Sequence, residues 1–399
     1  MLSFFGRICL FITVSFLLTA CGRERAVLRY GINATPSSIA AAKALYTRPP
    51  KLKAVVPVYI ATSRALQNNP AQPFGSRRSL QLHFAHADIG IPPTHRKGMV
   101  EKNGEKPNPE KQFTAVSFSL YNSRQIFKNA LNTALAHHPG KKKEILLFIH
   151  GYNNNFAEST FRAAQIVYDY QIDAVTVHYA WPSGGALSLY VYDRDSADFA
   201  RDGLAELLQL ITETNAKQIT VIAHSMGNYV TMEAMRTLSL KGQHQVIDQI
   251  SNLLMAAPDV DIDVFAAQLK DIKRLPKVTI VQVSGADKAL TISRKITGGH
   301  ARVGDGSNIN FLQRHGINVL DMSAIDGGAH NVFASSPTLM SLVQEGTLSH
   351  SVLAGDSEQS GNAILANSSS VLQGATSLIL YTPMRLLSSV TRSGTNATP

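Results

Sequence analysis

Cysteine is almost missing from this 399-residue chain: there are two, Cys9 and Cys21. Cys9 sits in an amino-terminal apolar stretch that reads as an export leader. A processed chain therefore keeps one thiol, which excludes an intramolecular disulfide and a thiolate metal site. Tryptophan is scarcer still, with Trp181 alone. The apolar run over residues 8–18 is too short to cross a bilayer comfortably as a helix. Acids are in deficit, 28 Asp and Glu against 38 Lys and Arg, for a net charge of +10. No RNA- or DNA-binding motif accompanies that charge, so nucleic acid is not its explanation. Apolar residues are plentiful at 44%. About 379 residues after the leader suffice for one large domain held by its own core.

The leader has a charged start at Arg7 and ends in Leu18-Thr19-Ala20-Cys21-Gly22, which resembles the lipobox of bacterial lipoproteins. Residues 1–20 are then the signal peptide, and Cys21 is acylated and becomes the first residue. Several acyl chains, at about 0.8 kcal/mol per buried CH₂, anchor a protein stably. Gly22, in place of an aspartate, implies sorting to the outer membrane, facing the periplasm. Residues 21–53 are basic, with Glu24 the lone acid from residue 22 onward. They read as a tether on anionic head groups or as a solvated linker. The histidines that follow (His83, His86, His95) lack metal-ligand spacing and are expected in the core or on the surface.

The chemistry concentrates in Gln218-Ile-Thr-Val-Ile-Ala-His-Ser-Met-Gly-Asn-Tyr-Val230. A β-branched run predicts a buried strand, and the residues from Asn228 predict a helix. Between them Ala223-His-Ser225-Met-Gly227 fits a G-x-S-x-G nucleophile elbow whose first glycine is alanine. Small residues two before and two after the serine let strand and helix approach. The turn lifts Ser225 Oγ above the sheet and aims the Met226 N–H at a developing oxyanion.

Seven blocks resemble the signature of a family of bacterial α/β-hydrolases long catalogued as a domain of unknown function. They are Val56-Pro-Val-Tyr-Ile-Ala-Thr-Ser-Arg64, Ile91-Pro-Pro-Thr-His95, Phe148-Ile-His-Gly-Tyr-Asn153, Trp181-Pro-Ser183, Tyr192-Asp-Arg-Asp-Ser-Ala197, Ala223-His-Ser-Met-Gly-Asn228 and Ala256-Ala-Pro-Asp-Val-Asp261. The resemblance runs from about residue 53 to 348. It implies an α/β fold with a mostly parallel sheet and helices on both faces, a serine nucleophile and an oxyanion hole. It supplies no substrate.

In that fold the loop after the strand Glu144-Ile-Leu-Leu-Phe-Ile-His-Gly151 gives the second oxyanion N–H, here Tyr152. Asn155 reads as the cap of the next helix. Trp181 ends another strand and is expected as a wall of the substrate site, with His224 beside it. Ser225, Asp287 and His330 each follow a strand, in the order nucleophile, acid, base. A serine hydroxyl needs a base to take its proton, and a carboxylate must hold that base in the right tautomer. His300 is the second candidate for base. The acid is expected at Asp287; Asp259 and Asp261, with Asp263 nearby, are the alternatives, Asp259 reading otherwise as a helix cap.

The reading is a hydrolase domain over residues 54–350 and a polar, low-complexity tail over 351–399. The expected chemistry is cleavage of carboxylic esters (lipid, acyl-glycan or thioester) through an acyl-enzyme, with no metal or organic cofactor. The expected partners are an ester-containing small molecule or lipid and, through Cys21, the membrane. The rival is an envelope lipoprotein that uses the same fold as a binding or scaffold module.

Overall fold

The structure, a computed structural model, describes residues 25–28, 51–69, 71–104, 107–140, 142–344, 368–373 and 376–383. The signal peptide, Cys21 and most of the tail lie outside the described residues. The sheet begins with antiparallel strands β1 (Ala54–Leu66), β2 (Phe74–Ile91) and β3 (Thr114–Tyr121), followed by helix α1 (Arg124–His137). Strands and helices then alternate: β4 (Glu144–Ile149), α2 (Phe156–Tyr170), β5 (Val175–Ala180), α3 (Tyr190–Thr212), β6 (Gln218–His224), α4 (Met226–Leu240), β7 (Asn252–Ala256), α5 (Ile262–Ile272), β8 (Val278–Val283), α6 (Lys288–Ile296), β9 (Asn318–Asp321) and α7 (Pro337–Gln344). A hairpin, β10 (Ser368–Gln373) and β11 (Thr376–Tyr381), extends the edge beside β9. The order across the sheet is β10-β11-β9-β8-β7-β6-β4-β5-β1-β2-β3.

The apolar runs of β4, β5, β6 and β8 are continuous because helices cover both faces of the sheet. Ile145, Leu147 and Ile149 of β4 face one core with Leu204 and Leu208 of α3 and Val230 of α4. Leu146 and Phe148 face the other with Phe156 and Phe161 of α2. The chain reverses its winding direction between β4 and β6, which are neighbours. The loops leaving those two strands part there, at the carboxyl edge where α/β sheets place ligands.

Two stretches depart from expectation: the tail expected over 351–399 gives the hairpin β10–β11 to the sheet, and part of the tether is buried. The 18-residue β2 is long and only partly buried. Its first half is largely exposed and meets β1 through irregular register, so it carries no apolar alternation to read. The tether also departs from a free linker at residues 25–28, where Ala26 and Leu28 are fully buried. Asn103 reads the Val27 backbone in both directions, and Leu28 hydrogen-bonds Ala71 and Ala115.

His95 is a core residue of a particular kind. Its ring is flanked by Glu101 Oε2 at 2.9 Å and Asp169 Oδ1 at 2.8 Å, and packs edge-on against Phe113 and Tyr168. Burial opposes its charge, but the two carboxylates outweigh that and its pKa is raised. A raised folded pKa gives stability that is complete below the unfolded value of about 6.5 and fades as pH climbs through the folded one. His95→Gln should therefore lower the melting temperature at pH 6, and the gap from wild type should narrow towards about pH 9. A gap that widens with pH would contradict the charged pairing.

Candidate active site

Ser225 joins β6 to α4 with φ 53° and ψ −122°, a conformation that non-glycine residues rarely adopt. Such a residue costs on the order of 1–3 kcal/mol and persists only where its surroundings over-determine it. Those surroundings are visible. Ser225 N–H donates to Ala256 O at 2.9 Å, and Asn228 Nδ2 donates to both Ser225 O and Ala256 O. A Cβ added at Gly227 would come 2.4 Å from His150 O, so the second small residue of the motif is a packing requirement.

His330 Nδ1 lies 2.6 Å from Asp287 Oδ2. Asp287 is 2% exposed, and its other oxygen accepts the N–H groups of Ala289 and Leu290, capping α6. The carboxylate is thus fixed by a helix start, with one oxygen left for the imidazole. Acceptance of a hydrogen bond by Asp287 puts the proton on Nδ1 and leaves Nε2 as the basic nitrogen. His224 holds the histidine from behind. Its Nε2 meets His330 O at 3.1 Å, and its ring packs on those of His330 and Phe333. Burial, then the charge of His330, holds the His224 pKa well below the usual range, so it is a neutral donor.

Met226 N–H, at the first turn of α4, and Tyr152 N–H, after β4, have no protein acceptor among the described residues. They are the two amides expected to hold an oxyanion. Gly151 precedes Tyr152 because a Cβ there would come 2.8 Å from His224 Nδ1 and 2.9 Å from Ser225 Cβ.

Trp181 is not a wall of the site, which corrects the expectation. It is fully buried and stacks on His150 at 4.9 Å with 6° between the rings. Its Nε1 donates to His150 O at 2.6 Å. A polar indole edge satisfied by backbone can sit wholly inside, and here it fixes the carbonyl just before Gly151. Burial, then the neighbouring Arg64 and His178, keep His150 neutral.

Arg64, Ser183 and Asp193, conspicuous in the sequence but given no role there, brace the same loop. Asp193 accepts from Ser183 Oγ at 2.5 Å, Gly184 N at 2.5 Å and Asn153 N at 3.2 Å. Arg64 donates to Ser183 O at 3.1 Å and Asn154 O at 2.9 Å. The carboxylate takes the loops' N–H groups and the guanidinium takes their carbonyls. Burial lowers the Arg64 pKa to about 10 and raises that of Asp193, costs offset by these hydrogen bonds and by the attraction between the two charges. Asn155 caps α2 in a reciprocal box with Glu158, as expected.

Ser225, His330, His224 and Tyr152 line one cavity of about 570 Å³. Asp259 lines it too, yet it pairs with Tyr190 Oη at 3.1 Å, Ser293 Oγ at 2.6 Å and Arg302 Nε at 3.5 Å, not with His330. The cap of α5 is Asp261, not Asp259. Asp263 is exposed beside His300, 3.9 Å away.

Among curated proteins none matches the sequence. A crystal structure described as that of a CIB-like hydrolase from Thermoplasma acidophilum is similar over 52% of this chain and 87% of its own. The identity is 13% and the TM-score 0.29, too low to carry an argument. The family described as alpha/beta hydrolase of unknown function (DUF900) matches residues 123–346, more than half of the chain, and includes the elbow and both partners of the His330–Asp287 pair. The chain belongs to this alpha/beta hydrolase family.

Proposed function

We propose that the protein is a serine hydrolase of carboxylic esters, lipid-anchored through Cys21 in the bacterial envelope. Ser225 Oγ attacks the ester carbonyl while His330 Nε2 takes its proton. The tetrahedral oxyanion lies between the N–H groups of Met226 and Tyr152. His330 returns the proton to the departing alcohol, leaving an acyl-Ser225, and water enters by the reverse sequence. The observation that carries this reading is the 2.6 Å contact of His330 Nδ1 with a buried carboxylate, in the cavity that also holds a strained serine.

A fluorophosphonate probe should label the protein at Ser225, located by mass spectrometry. p-Nitrophenyl esters of increasing acyl length then define the substrate. Folded protein that stays unlabelled across about pH 7.5 to 9, above the ordinary histidine pKa, would favour the scaffold module instead. For the anchor, mature protein should partition into detergent and begin at an acylated Cys21, and Cys21→Ser should accumulate as precursor. A water-soluble form cut near Ala20 would remove the anchor from the reading.

A further inference from the structure

The cavity mouth has two unlike sides. On one, Arg25 is clamped to the wall: it donates to Asn153 Oδ1 and Asn153 O, each at 3.1 Å, and pairs with Glu158. Asn153 and Glu158 both line the cavity. On the other, α6 turns Leu290 and Ser293 inward and leaves Lys288, Ile292, Lys295 and Ile296 outward. Ile292 is 60% exposed and Ile296 59%; in the same cavity lining Leu187 is 76% exposed, and Val191, next to the cavity residue Tyr190, is 74%. Single exposed aliphatic residues mean little, but these gather round one opening. A helix face that mixes isoleucine with lysine has the pattern of one lying on an anionic lipid surface.

The amino-terminal chain points the same way. Residue 25 is held at the mouth, and Cys21 is four residues earlier, a span of at most about 14 Å when fully extended. A bilayer attachment at an acylated Cys21 would therefore lie within that reach of this opening. We propose that the mouth is a bilayer-docking face built from α6, residues 187–191 and the clamped Arg25, and that the site draws its substrate, an acyl ester of membrane lipid, directly from that bilayer. The docking rests on the rim's geometry and charge and on the proposed anchor at Cys21, whereas the lipid substrate rests on the serine-hydrolase reading above. Ester carbonyls of lipids lie at the head-group level, within reach of a site whose rim is flush with the surface. The apolar rim meets the acyl chains, and Lys288 and Lys295 meet anionic head groups.

The test reconstitutes the full chain into vesicles of phosphatidylethanolamine and phosphatidylglycerol carrying brominated acyl chains, which quench tryptophan only at contact. Trp181 is buried and supplies a constant background. Ile292→Trp and Val191→Trp should be quenched, and Lys217→Trp, at the opposite end of the strands, should not. Equal quenching at all three positions, or none while the protein stays bound, would overturn the docking, as would burial of these positions in a dimer. Val191→Asp combined with Lys295→Glu should lower hydrolysis of vesicle-embedded diacyl ester at least about tenfold and leave soluble p-nitrophenyl butyrate turnover unchanged. Loss of neither, or equal loss of both, would overturn the lipid substrate. If wild-type protein hydrolyses neither ester, the hydrolase reading fails, and the quenching profile still decides the docking.

Discussion

Ser225→Ala should abolish ester turnover, with kcat falling by about 10⁶, and His330→Ala should fall almost as far. The double substitution should cost no more than either alone. Non-additivity follows from the geometry: the serine is useful only when a base takes its proton, and the base is useful only when a nucleophile stands before it. The elbow holds Ser225 at φ 53° through Ala256 and Asn228, not through its hydroxyl, so Ser225→Ala should fold as wild type does. The residual rate in each variant is what the Met226 and Tyr152 amides provide by holding the ester carbonyl. The measurement is kcat/KM on a soluble ester, with circular dichroism to establish folding. A His330→Ala protein that keeps more than about 1% of turnover would place the base elsewhere. His300 would then have to move, since it is exposed and its near partner is Asp263.

What the sequence displayed and what it concealed divide along physical lines. The strand–elbow–helix was readable because its steric rule is local: Gly227 is small since the backbone of residues 149 and 150 crowds it. The order of strands and helices was readable from apolar runs that helices cover on both faces. Trp181 was misplaced because an aromatic residue at a strand's carboxyl end looks the same whether it faces solvent or the layer beneath. The hydrogen bond to His150 O that decides the matter is between residues 31 apart. Arg64, Ser183 and Asp193 lie within the blocks that carry the family resemblance. Their task, satisfying the backbone of residues 153, 154, 183 and 184, depends on three chain segments meeting and leaves no spacing to read. Arg25 was invisible for the opposite reason. In a run of basic residues nothing marks the one that finds Asn153 and Glu158, and only the burial of Ala26 and Leu28 fixes its place.

Asp287→Asn and Asp259→Asn should fail in different ways, and the contrast identifies the acid. Asparagine at 287 keeps an oxygen for the amides of Ala289 and Leu290, so the start of α6 stays capped and the melting temperature should hold close to wild type. Its amide nitrogen, however, takes the place of the oxygen 2.6 Å from His330 Nδ1. Two donors cannot face each other, so the imidazole must carry its proton on Nε2, the nitrogen that should receive one from Ser225. In the serine-protease reference case this exchange costs about 10⁴ in kcat, and a loss of at least about a hundredfold is expected here. Asp259 stands outside that relay, bound by Tyr190, Ser293 and buried Arg302. Asparagine there leaves the guanidinium uncompensated. Breaking a buried pair costs about 3–5 kcal/mol, so Asp259→Asn should lower the melting temperature while turnover of the folded fraction stays within about tenfold. Asp261→Asn should change neither quantity much, because asparagine caps α5 as aspartate does. If Asp259→Asn proves stable and inactive while Asp287→Asn turns over normally, the carboxylate that serves the histidine comes from the loop after β7, and the 2.6 Å contact is a helix cap that happens to lie beside it.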